Sequence, residues 1–143
     1  MQHVLPVRVY YEDTDAGGVV YHANFLKFAE RGRTELLRSL GFTNTSLVEK
    51  EGFLFVVRHI EADYRKPGRL EEDLEVVSVV EEIKNASFVM RQTVSRGSDI
   101  LCVMKVALVC VEMNKTDIKP VRIPDHLKSG FETYMTTPNT GSK

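Results

Sequence analysis

Hydrophobic and polar positions follow two different periods along the chain. Over residues 23–40, Phe25, Ala29, Gly32, Leu36 and Leu40 recur at steps of four, three, four and four, and Phe28 and Leu37 widen the stripe. That spacing is one face of an amphipathic helix. A glycine inside a helix costs about 1 kcal/mol against alanine, so Gly32 on the apolar stripe predicts very close packing on a sheet. Gly41 supplies the C-terminal stop.

Elsewhere the pattern is that of strands. Residues 4–11 are rich in Val and Tyr, with Pro6 near the start where a missing N–H is tolerated. Four further runs, 53–64, 70–83, 87–95 and 100–112, are separated by KPG, KNA and RGSD, each with turn chemistry. In the last run Cys102, Met104, Val106, Leu108 and Cys110 form one face, while Leu101, Val103, Val109 and Val111 make much of the other apolar too. A strand apolar on both faces belongs inside a sheet or against a partner. Between helix and second strand, Ser46 and Glu49 have the spacing of a capping box, and Gly52 closes that segment. The expected architecture is α+β: a curved five-stranded antiparallel sheet wrapped around one long helix. One sheet layer leaves an outer face bare, which favours self-association.

At 143 residues the chain has room for one domain, 1–143. The tail 136–143 reads as frayed and without chemistry. With 43% hydrophobic and 27% charged residues, 19 basic against 20 acidic, the composition is that of a globular protein, not a disordered one. A net charge of -1 argues against broad nucleic-acid binding but leaves room for a local basic patch. The two cysteines, Cys102 and Cys110, lie on one predicted strand about 27 Å apart, too far for a disulfide. Free buried thiols, no signal peptide and no long apolar run point to a cytoplasmic protein with no transmembrane segment.

The candidate chemistry lies in the loop EDTDAGG before the helix. Asp13 and Asp15, two residues apart, can share a site or cap the turn. Gly17 and Gly18 permit a sharp reversal and close approach of a ligand to the backbone. The free N–H groups at a helix start are suited to polarising a carbonyl. A second cluster, Arg58, His59, Arg65, Lys66 and Arg69, interrupted by Glu61 and Asp63, is a candidate for binding phosphates. On the helix, Arg31 and Glu35 have the spacing of a surface ion pair, which leaves Glu35 and its neighbour Glu30 without a primary catalytic role. The histidines show no metal-ligand spacing with the cysteines. There is no phosphate loop, dinucleotide glycine fingerprint or Gly-x-Ser-x-Gly elbow.

The segment YYEDTDAGGVVYHAN at 10–24, continued by FAER at 28–31, TE at 34–35, FVVR at 55–58, DY at 63–64, CV at 110–111 and KP at 119–120, resembles the hot-dog-fold acyl-CoA thioesterases of the 4-hydroxybenzoyl-CoA thioesterase family. Within it the chain looks most like the Tol-Pal-associated, YbgC-type branch, and the resemblance covers the recognisable core at about 4–128. The resemblance implies hydrolysis of an acyl-CoA to a carboxylate and free coenzyme A, with short to medium acyl groups favoured and aromatic ones permitted. It implies Asp15 as the catalytic carboxylate, either nucleophile or general base, and the backbone N–H of His22 as the carbonyl donor. Tyr11, Asp13, Gly17, Gly18, Val19, Tyr21, Phe25 and Phe28 would then form the substrate pocket, and the basic cluster would hold the coenzyme A phosphates. No cofactor is implied, since coenzyme A is part of substrate and product. The implied assembly is a homodimer joined edge to edge, often paired into a tetramer, with acyl carrier protein or a lipid-synthesis enzyme as a possible partner. Two alternatives stay open: a hot-dog dehydratase using His22 as base, and a non-enzymatic acyl-binding scaffold for envelope or lipid-synthesis proteins.

Overall fold

The computed structural model describes residues 1–113 and 117–136, so most of the tail lies outside the described residues. The strands are β1 (His3–Arg8), β2 (Phe53–Tyr64), β3 (Asp73–Ile83), β4 (Ser87–Arg96), β5 (Asp99–Met113) and β6 (Ile118–Pro120). The helices are α1 (His22–Ser39), the short α2 (Asn44–Ser46), which runs into a π turn at Leu47–Glu51, and α3 (Asp125–Glu132). The sheet order is β1-β3-β4-β5-β2, all antiparallel, with β6 paired to β5. Among the described residues no helix is long and apolar enough to cross a membrane.

The doubly apolar last run is β5, held between β4 and β2. β2 occupies one side of β5 up to Glu112, so β6 continues the β4 side beyond Val109, through Val111↔Pro120. Cys102 and Cys110 are buried there as free thiols, and burial pushes each up to about 11.

Helix α1 buries Phe25, Phe28, Ala29, Gly32, Leu36 and Leu37 against the sheet. A Cβ on Gly32 would lie 2.8 Å from Val76 Cγ1 and 3.0 Å from Gln92 Nε2, so the absence of a side chain sets how closely the helix sits. Gln92 is fully buried, and its Nε2 donates to the Ala29 carbonyl and the Ser78 hydroxyl, both at 2.9 Å. Its Oε1 accepts from Arg33 Nη1 at 3.0 Å. The sheet thus holds the helix through a satisfied polar network as well as apolar packing.

Several local expectations are corrected. Strand β1 stops at Arg8, because Tyr11–Asp13 winds into a 3-10 turn. β3 starts only at Asp73: Glu71 adopts φ 68° in a turn closed by the Glu72 amide donating to the Arg69 carbonyl. The capping box lies one turn earlier than the Ser46 and Glu49 spacing suggests; Thr43 Oγ1 accepts from the Ser46 amide and Ser46 Oγ from the Thr43 amide. Glu35 approaches Arg38 at 3.9 Å instead of pairing with Arg31, whose guanidinium lies 5.7 Å from the Phe28 ring centre. β6 and α3 are elements beyond the five strands and one helix read from the pattern. In α3, Leu127 and Phe131, four apart, anchor it in the core.

Candidate active site

The loop between β1 and α1 is built on Asp13. Its side chain is buried, with Oδ2 accepting from the Tyr10 amide at 2.9 Å and Oδ1 from Asn24 Nδ2 at 3.0 Å. The Tyr21 amide donates to the Asp13 carbonyl at 2.9 Å. Asp13 therefore fastens the loop to the first turn of α1, the turn-capping alternative of the two open to it in the sequence. From Thr14 the chain forms a small hairpin: Thr14 bridges Val20, the Asp15 amide donates to the Val19 carbonyl, and the Gly18 amide donates to the Asp15 carbonyl. Gly18 sits at φ 79°, a conformation glycine adopts without steric cost.

Asp15 stands exposed at the hairpin tip, and its Oδ1 accepts from the Gly17 amide at 2.9 Å. A Cβ on Gly17 would lie 3.3 Å from that same oxygen. The hairpin leans on the KPGR turn. The Val20 amide donates to the Gly68 carbonyl at 2.8 Å, Val19 bridges Arg69, and a Cβ on Gly68 would lie 2.9 Å from Val20 Cγ2.

Seven residues after Asp15 the chain enters α1. No side chain caps this terminus. The Asn24 amide donates to the Tyr21 carbonyl at 2.8 Å, while the amides of His22 and Ala23 have no acceptor among the described residues. Two free donors thus stand at the positive end of an 18-residue helix, a position suited to an anion. The exposed His22 ring lies 4.6 Å from the Tyr21 ring and 5.9 Å from that of Tyr64, at the end of β2. Burial, reinforced by Cys102, pushes the Tyr64 hydroxyl above the usual tyrosine value.

Of the remaining expected pocket residues, Tyr11 is exposed on the 3-10 turn and Tyr21 is half exposed before α1. Phe25 and Phe28 are buried and face the core, edge to face with ring centres 6.2 Å apart. The basic cluster divides. Arg65 pairs with Asp63 and Lys66 with Asp99, both at 2.8 Å, and His59 meets Glu61 at 3.3 Å. Arg58, at the bulge of β2, and Arg69, beside the hairpin, have no carboxylate partner among the described residues.

Asn24, Tyr64 and Gly68 shape this site although the sequence assigned them no part in it: Asn24 and Tyr64 stood only within the resembling segments, and Gly68 only within a turn. Apart from the hairpin, a cavity of about 480 Å³ opens between α1 and β2, lined by residues including Arg33, Leu37, Phe55, Val57, Phe88 and Phe131.

A family model described as the Thioesterase-like superfamily matches residues 9–131. The acyl-CoA thioesterase YbgC of Haemophilus influenzae is 45% identical over 126 residues, covering 88% of this chain and 91% of that protein. The acyl-CoA thioester hydrolase YbgC of Escherichia coli O6:H1 is 41% identical over 128 residues, covering 89% and 93%. Among solved structures, a probable thioesterase from Bartonella henselae superposes with a TM-score of 0.82 at 38% identity, covering 87% of this chain and all of that one.

Proposed function

The chain belongs to the thioesterase-like superfamily and has the hot-dog fold, and from that premise we propose that it hydrolyses acyl-CoA thioesters with Asp15 as the catalytic carboxylate. The observation that carries this reading is the pairing of an exposed carboxylate on a braced hairpin with a helix entrance whose first amides are free. Those amides would stabilise the charge that develops on the thioester oxygen as the carbonyl carbon is attacked. Asp15 acts either by direct attack, giving an acyl anhydride that water opens, or as general base for a water. Release of the coenzyme A thiol completes either route, and neither draws on a metal or further cofactor.

Substitution of Asp15 by Asn should lower kcat at least about 100-fold in a folded protein. His22→Ala, which keeps the main-chain donor, should lose less. Unchanged turnover by Asp15→Asn, measured as free thiol, would overturn the proposal. The same thiol assay over a graded acyl panel, with a hydroxybenzoyl thioester included, separates a hydrolase from a dehydratase or an inert scaffold. Label in Asp15 after a single turnover in isotopically labelled water would identify direct attack with the anhydride opened at the Asp15 carboxyl carbon, whereas the general-base route places the label in the acid product alone.

Arg58 and Arg69, without a side-chain carboxylate partner among the described residues, are proposed to bind the coenzyme A phosphates, with Arg65, Lys66 and His59 contributing after release from their carboxylate contacts. Replacing Arg69 should raise KM for acyl-CoA more than it lowers kcat. The proposed assembly is a homodimer through β2, a sheet edge of 12 residues that leaves Val57 and Tyr64 nearly half exposed. Two-fold antiparallel pairing sets the Tyr64 end of one copy, with His22 beside it, next to the Phe53 end of the other. Sedimentation at micromolar concentration tests this, and a second pairing through the outer sheet face would register as a tetramer. A cytoplasmic location, the Tol-Pal association and an acyl carrier protein or lipid-synthesis partner complete the proposal, to be tested by fractionation and co-purification.

A further inference from the structure

The cavity between α1 and β2 is apolar over most of its wall. Leu37, Phe55, Phe88 and Phe131 line it, with Phe131 stacked on Phe88 at 4.4 Å between ring centres. Its volume of about 480 Å³ lies within the range of small-molecule sites, about 300–1,000 Å³. Val48, at its rim on the π turn, is 51% exposed, so the cavity communicates with the surface.

One wall residue does not fit a simple apolar core. Arg33 lines the cavity, and its Nη1 donates to Gln92 Oε1, a neutral acceptor. No carboxylate among the described residues lies within 4.0 Å of its nitrogens, although Glu30 stands one helical turn away on the same rim. Burial lowers the affinity of the guanidinium for its proton, with Glu30 acting in the opposite sense, yet an arginine stays charged at neutral pH. Gln92 is locked by its bonds to Ala29 and Ser78, so it holds the guanidinium in place without neutralising it. A partly desolvated cation without a counter-ion is costly, and a carboxylate is the group a guanidinium pairs with best.

We propose that this cavity binds an apolar chain or ring that carries a carboxylate, with the carboxylate on Arg33 and the apolar body against Phe55, Phe88 and Phe131. Such a ligand has two sources: a free carboxylic acid, the product class of the proposed hydrolysis, or the far end of an acyl-CoA whose acyl group ends in a second carboxylate. Occupancy itself does not depend on turnover, so this inference and the assignment of Asp15 stand or fall separately.

The test is direct binding of octanoate and of 1-octanol, followed by calorimetry or ligand-observed magnetic resonance, on the wild-type protein and on Asp15→Asn. Octanoate should bind at least about tenfold more tightly than the alcohol in both, and Arg33→Met should erase the difference. Val48→Trp, on the π turn and off the β2 seam, narrows the mouth and leaves the Gln92 network untouched, so it should weaken both ligands together; it serves as the second variant if Arg33→Met does not fold. Equal affinities of acid and alcohol for the wild type would overturn the proposal, as would octanoate binding unaffected by both substitutions. Hydrolysis of suberyl-CoA and octanoyl-CoA then separates the sources. A kcat/KM preference for suberyl-CoA that Arg33→Met removes assigns the site to the substrate's far carboxylate, and equal rates beside tight octanoate binding assign it to the free acid.

Discussion

Asn24 Nδ2 donates to Asp13 Oδ1 at 3.0 Å, and both residues are buried. The bond joins the last turn before the hairpin to the first turn of α1, so the loop that carries Asp15 and the helix entrance move as one piece. Together with the Tyr10 amide, Asn24 uses both oxygens of Asp13.

Asn24→Ala should therefore cost about 1–3 kcal/mol of stability, because it strands a buried carboxylate oxygen. It should also lower kcat more than KM by loosening the placement of Asp15. Urea unfolding and steady-state thioester kinetics on the same preparation check both effects. A loss of stability with kcat intact would confine Asn24 to a structural role.

Gly68→Ala places a methyl group 2.9 Å from Val20 Cγ2, at the contact that braces the hairpin. Val20 belongs to the core, so the hairpin and its core contact must both give. The expected outcome is a several-fold fall in kcat with a loss of stability of about 1–3 kcal/mol. Thermal melting beside a thiol-release assay tests it.

Gly32→Ala gains about 1 kcal/mol of helix propensity but drives a methyl group to 2.8 Å from Val76 Cγ1. Overpacking of this kind costs about 1–3 kcal/mol, so the net expectation is destabilisation by on the order of 1 kcal/mol. An unfolding midpoint equal to or above that of the wild type would show that the helix can lift off the sheet without penalty.

Cys102 and Cys110 have their thiols raised to about 11 by burial. An unfolded thiol titrates near 8.5–9, so the unfolded chain releases these protons first as pH rises. The stability they lend is complete below about pH 8.5 and declines between there and about 11, on the order of 2 kcal/mol per thiol. Denaturation at pH 7, 9 and 10.5 should show that decline, and Cys102→Ala should flatten it relative to its own value at pH 7. At pH 8 the native protein should react with a thiol reagent only as fast as it opens.

The legible parts of the fold were those with a sustained period. The stripe from Phe25 to Leu37 and the runs within β2 to β5 repeat often enough that propensity, burial and turn chemistry agree. The elements missed are short, β6 of three residues and α3 of eight, and both owe their order to contacts with distant segments: Val111 for β6, and Phe55 and Phe88 for Phe131 of α3. Phe25 and Phe28 show the same limit in the site. Aromatic residues near a helix start look alike in sequence whether they line a pocket or fill a core, and here they fill the core.

By itself the sequence determined the antiparallel sheet, the helix laid on it and the position of Asp15 ahead of the helix start, because these follow from local periodicity and from backbone chemistry a few residues long. Only the tertiary structure decided that Asp13 faces inward to hold Asn24, that Gly68 braces the hairpin, and that Arg33 meets Gln92 on the wall of a cavity. Such contacts join positions up to 59 residues apart, and the chain closes them only when the sheet folds under the helix.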